Sequence, residues 1–138
     1  MSVQPSGAQK QVLVADDDPA ILRLVKIIVE KEGYAVVSAR DGKEPYKLLQ
    51  SGEPFSAAIF DVVMPYIQGT ELVKYMQSEK RLMKIPVIMM TAEQNPRLSS
   101  ESFAAGAVAF LPKPFTTSQL QTMLRMFVQN SPDNSKKR

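Results

Sequence analysis

The feature that most constrains this chain is an alternation of short apolar runs with longer stretches of helical period. Val12–Ala15, Ala35–Ser38, Ala57–Phe60, Pro86–Met90 and Ala107–Leu111 are such runs, and none shows the polar alternation of a half-exposed strand. Buried parallel strands have this pattern, because helices cover both faces of their sheet. Between the runs, Ile21, Val25, Ile28 and Val29 mark one helix face, Leu72, Val73 and Met76 a second, and Leu120, Met123, Leu124 and Phe127 a third. Weaker helices are expected over Gly42–Gln50 and Pro96–Ala105. The unit β-α repeats five times, which predicts an α/β, doubly wound parallel sheet of five strands.

A chain of 138 residues that is 44% hydrophobic suits one compact domain with a core of its own. Cysteine is absent, which removes disulfides and thiolate metal sites and suits a reducing compartment. No apolar run reaches the length of a membrane span or a signal-peptide core, so the expected location is the cytoplasm, with no membrane partner. The net charge is +3, and the last eight residues hold three bases against one acid. The expected division is a disordered segment over 1–10, a folded domain over 11–129 and a flexible basic tail over 130–138.

The first run leads directly into three acids, Asp16, Asp17 and Asp18, followed by Pro19. Two carboxylates about 5 Å apart repel by roughly 3 kcal/mol at an effective dielectric near 20. Asp18 has a structural role, because with Pro19 at the first helical position its carboxylate caps free N–H groups at the positive end of a helix. Asn95–Pro96 repeats that signature, and Thr116 with Gln119 has capping-box spacing. Asp16 and Asp17 remain, at the carboxyl end of a strand, where open doubly wound sheets bind ligands. The third run ends in Asp61, the fourth in Thr91, the fifth near Lys113. Each alone is an ordinary turn residue. All fall on one sheet edge.

Three carboxylates in a chain without histidine favour a hard, oxygen-ligated cation, with Mg²⁺ the expected ion. A hydroxyl and an ammonium on the other flank suit the oxygens of a phosphoryl group. Asp61 is then a candidate nucleophile.

The segments VLVADDDP, AAIFDVVMPYIQGTEL, IPVIMMTA and GAVAFLPKPF, in that order, resemble the receiver domain of bacterial response regulators over about Gln11–Gln129. The resemblance implies a flavodoxin-like three-layer sandwich with strand order 2-1-3-4-5. It implies Asp61 as the phosphoacceptor, and Mg²⁺ held by Asp17, Asp61 and the backbone carbonyl of Val63, with Asp16 acting mainly through a water on the metal. Lys113 would pair with the phosphoryl group, and Lys113–Pro114 would be a cis peptide. Thr91 and Phe110 would carry the switch, while Pro65 and Gly69 match the turn and helix entry after Asp61. The implied partners are a histidine kinase or histidine phosphotransfer protein upstream, and a downstream protein meeting the helix 4, strand 5 and helix 5 face. Direct DNA binding is not expected, and the chain would be a monomer or weak dimer of the single-domain type. With no histidine, it cannot itself be the kinase or the phosphotransfer domain.

The sequence departs from many relatives at Tyr66 and Gln68, where they carry glycine and aspartate, and at Pro45, tolerable only in a first helical turn. Val108–Ala109 lacks the acids common in the DNA-binding, winged-helix class. A phosphate shuttle in a relay and a phosphate-independent adaptor are alternatives on the same fold. An aspartyl-phosphate phosphatase of the haloacid-dehalogenase type is another, but its nucleophile motif has a second acid two residues on, where this chain has Val63. The resemblance also places Val63 and Glu93 around the approach of hydrolytic water.

Overall fold

The computed structural model describes residues 10–129; the segment before Lys10 and the basic tail 130–138 lie outside them. Strands β1 (Gln11–Ala15), β2 (Ala35–Ala39), β3 (Ala57–Asp61), β4 (Val87–Thr91) and β5 (Ala109–Pro112) alternate with helices α1 (Pro19–Lys31), α2 (Lys43–Gln50), α3 (Gly69–Ser78), α4 (Pro96–Ala105) and α5 (Thr117–Leu124). A π-helical turn, Arg125–Gln129, extends α5. The strands form one sheet in the order β2-β1-β3-β4-β5, every pair parallel. The expected fold class is therefore the observed one.

The pleat sorts the apolar runs between two cores. Val12, Val14, Ile59, Ile88 and Met90 face one side with Val25, Ile28, Leu120 and Leu124. Leu13, Phe60 and Met89 face the other with Leu72, Val73 and Met76. Each of these large apolar side chains, removed from water, contributes about 1.5–3 kcal/mol. Because both faces are covered, the central strands β3 and β4 are buried at every residue, which is why their sequences show no period of two.

Helix ends follow their local chemistry. Asp18 Oδ1 accepts from the Ala20 N–H (2.9 Å) and Asn95 Oδ1 from the Arg97 N–H (3.0 Å), each ahead of a proline. Thr116 and Gln119 exchange both bonds of a capping box. Pro45 is the third residue of α2, within the first turn, where its missing N–H leaves no helical bond unmade. The fifth strand starts at Ala109, two residues later than its apolar run. Gly106, at φ +124°, ends α4, and the Ala107 N–H bonds back to Ser102 O (3.0 Å), so that donor serves the helix end instead of the sheet. No helix among the described residues is long and apolar enough to cross a membrane.

Candidate functional site

The chain leaves β1 in one direction to form β2 and returns on the other side as β3, so the carboxyl ends of β1 and β3 flank a crevice at the switch point. Asp16 follows β1 and Asp61 ends β3. One carboxylate oxygen from each of Asp16, Asp17 and Asp61 lies within 4.8 Å of the others. Asp16 is fully buried, Asp61 is 6% exposed, and Asp17 faces solvent. Lys113, just after β5, reaches into this group: its Nζ lies 2.7 Å from Asp16 Oδ2 and 3.5 Å from Asp61 Oδ2.

The balance of charge here is uneven. Asp16 Oδ1 accepts from the Asp18 N–H at 2.9 Å, while its buried Oδ2 meets the lysine ammonium without a well-angled hydrogen bond. Burial, then the neighbouring Asp16 charge, pushes the Asp61 carboxyl up to about 6, against the opposing pull of Lys113 and the Val63 N–H. Burial draws Lys113 downward, but its short ion-pair contact with Asp16 and the charges of Asp61 and Asp16 outweigh that and leave it raised. Three acids facing one cation are a donor set that a hard divalent ion fits, through oxygen ligands alone.

Thr91 ends β4 and is 1% exposed. Its Oγ1 accepts from the Glu93 N–H (3.1 Å), and its carbonyl accepts from the Lys113 N–H (2.8 Å), which ties the hydroxyl and the lysine to one backbone frame. Lys113–Pro114 is cis. Phe110 is half-buried, with its ring centroid 6.5 Å from that of Phe103. Val63 is 43% exposed at the lip of the site, and Glu93 is exposed beyond Thr91. Asp16, Asp17, Asp61 and Lys113 are thus brought together, with Thr91 tied to Lys113 through the backbone, and the shorter of the two carboxylate contacts of Lys113 is to Asp16.

The loop after Asp61 holds a feature that sequence reasoning missed. Tyr66 has φ +71°, and the Ile67 N–H donates to Pro65 O across it (2.9 Å). That is the positive-φ γ-turn, rare and strained, and for a residue other than glycine such backbone costs on the order of 1–3 kcal/mol. The available signal was the glycine that many relatives carry at this place. Gln68 takes part in the entry to α3 instead, its N–H donating to Glu71 Oε1 (2.9 Å). Gly69 admits close packing: a Cβ there would collide with Asp61 O and lie 2.8 Å from Met89 Cε.

Comparison with known proteins agrees with this geometry. The response regulator receiver domain family matches residues 12–125. The chain is 33% identical over 129 residues to Response regulator GtcR of Aneurinibacillus migulanus, covering 90% of this chain and 52% of that protein. It is 34% identical over 124 residues to Transcriptional regulatory protein CrdR of Helicobacter pylori, covering 90% and 57%. The chain spans about half the length of these curated relatives. Among solved structures, a CheY-like response regulator receiver domain protein from Methanospirillum hungatei is similar at TM-score 0.79 and 31% identity, over 94% of this chain and 99% of that one. Chemotaxis response regulator CheY4 of Vibrio cholerae is similar at TM-score 0.77 and 33% identity, over 85% and 97%. With the family match spanning most of the chain and the five strands in the order 2-1-3-4-5, this chain belongs to the response regulator receiver domain family of two-component signalling.

Proposed function

We propose that the chain is a phosphorylation-dependent switch whose acceptor is Asp61. The observation that carries this reading is the placement of Lys113 Nζ between the carboxylates of Asp16 and Asp61 at the sheet's carboxyl edge. An ionised Asp61 oxygen forms the new O–P bond. The bond from phosphorus to the donor, a phosphohistidine nitrogen or an acyl-phosphate oxygen, breaks, and the donor keeps the electron pair. Lys113 offsets the charge of the arriving phosphoryl oxygens, and the Thr91 hydroxyl is available to one of them. Asp16, Asp17, Asp61 and the Val63 carbonyl are the groups that would hold Mg²⁺, which when bound supplies the positive charge that lets clustered carboxylates and phosphate coexist.

A histidine kinase or histidine phosphotransfer protein is the proposed donor, and a phosphate shuttle in a relay would use the same step. For output, the α4, β5 and α5 face presents Phe103 (50% exposed), Val108 (38%) and Met126 (57%) beside Phe110. This apolar face suits a protein target better than nucleic acid. The phosphatase alternative has no support, because Val63 offers no proton to a leaving group. Incubation with acetyl phosphate and Mg²⁺ tests the acceptor: intact mass should gain one phosphoryl group in the native protein and none in Asp61→Asn. Equal gain in both would assign the acceptor elsewhere.

A further inference from the structure

The strained turn at Tyr66 is held from outside its own loop, by the start of α2. Pro65 O accepts twice, from the Ile67 N–H inside the turn (2.9 Å) and from the Gly42 N–H (3.2 Å). Lys43, the first residue of α2, places its ammonium 4.5 Å from the centroid of the Tyr66 ring. Gly42 itself has φ −86°, a conformation open to any residue, so its own backbone does not require glycine. The loop requires it: a Cβ on Gly42 would collide with the Ile67 carbonyl oxygen and lie 2.7 Å from its carbonyl carbon. Both obstacles are backbone, so a side chain there must push the loop away.

The start of α2 is anchored in turn. Asp41 Oδ1 accepts from the Lys43 N–H (2.9 Å) and the Glu44 N–H (3.2 Å). The far end of the loop is closed by the Gly69 N–H on Val62 O (2.9 Å). Between these two attachments lies Val63, two residues after Asp61. The segment that carries the proposed acceptor and the carbonyl proposed to hold the cation is therefore clamped at its base by α3 and at its tip by α2.

We propose that Gly42 and Lys43 are positioning residues for the metal site: by bracing the Tyr66 turn they hold Val63 in place for the cation, and cation binding in return tightens the joint between this loop and α2. This rests on the Mg²⁺-dependent reading above. The reciprocity is a thermodynamic requirement, since a joint that favours binding must be favoured by it. Residues that orient a metal's ligands commonly change affinity about tenfold or more when altered.

The test uses the whole chain and Mg²⁺ alone. Gly42→Ala should bind Mg²⁺ about tenfold more weakly by calorimetry. In the native protein, Mg²⁺ should slow hydrogen exchange at the Gly42 amide more than at the Ser56 amide, which bonds Gln11 O (2.8 Å) at the opposite edge of the sheet. The exchange measurement needs no variant, so it decides the matter even if Gly42→Ala folds poorly. If the native protein binds Mg²⁺ but the Gly42 amide slows no more than that of Ser56, or a folded Gly42→Ala binds as tightly as the native chain, the positioning role is wrong and the metal site stands. If the native protein binds no Mg²⁺, the metal-dependent reading fails and this inference fails with it.

Discussion

Lys113 Nζ stands 2.7 Å from Asp16 Oδ2 and is nearer to it than to the proposed acceptor, Asp61, at 3.5 Å. Asp16 is fully buried and the lysine side chain only 11% exposed. In the metal-free protein the pair therefore keeps a buried carboxylate from standing alone. Without the cation, Lys113→Ala should lose about 3 kcal/mol of stability, because removing one partner strands the other charge. Mg²⁺ should restore part of the loss. Urea unfolding at pH 7 in chelator and in excess Mg²⁺ measures both. A variant as stable as the native protein in chelator would show that the pair contributes nothing.

Asp61 makes stability depend on pH in the direction opposite to most native carboxylates. Its folded value, about 6, lies above the ordinary 3.8, so the folded state binds the proton more tightly. That contribution is fully present below pH 3.8 and is lost as pH rises through 6. Asp61→Asn lacks it, so the stability of the variant relative to the native protein should rise between about pH 4 and pH 7, by about 3 kcal/mol in the absence of metal. Denaturant titrations across that range check the sign. A difference that is flat or falls with pH would contradict it.

Thr91→Ala should still accept phosphate, since the transfer is assigned to Asp61 and Lys113. Losing the bond from the Glu93 N–H costs about 1 kcal/mol. The larger effect is expected in output, because a ligand shifts a two-state protein only through contacts that differ between the states. Phosphorylated variant and native protein should show equal mass gain but unequal affinity for the downstream partner. Equal affinities would remove Thr91 from the switch.

The lifetime of the acyl phosphate should be governed at the lip of the site. Val63 is 43% exposed there, and its side chain cannot hold a water. An amide at that place can hold one in attacking geometry, so Val63→Asn should lose phosphate roughly tenfold faster after the donor is removed. An unchanged or slower rate would move control to Glu93.

Much of this was legible in the linear chain, for reasons that lie in short-range physics. Strands buried on both faces leave continuous apolar runs, and α1, α3 and α5 leave a period of about 3.6. Capping residues mark helix starts, so the start of α4 was legible from Asn95 and Pro96. Parallel strands all point one way, so acids, a threonine and a lysine that follow successive runs must gather at one edge. The limit of the fifth strand was less legible, because the donor at Ala107 is claimed by the end of α4. Only the tertiary structure decided which partner Lys113 meets first, since that depends on how far β5 stands from β1 and on which carboxylate is buried. It also decided the strained backbone of Tyr66 and the need for glycine at Gly42. Those follow from contact between segments far apart in the chain, where one carbonyl oxygen, that of Pro65, serves two donors and another, that of Ile67, leaves no room for a methyl group.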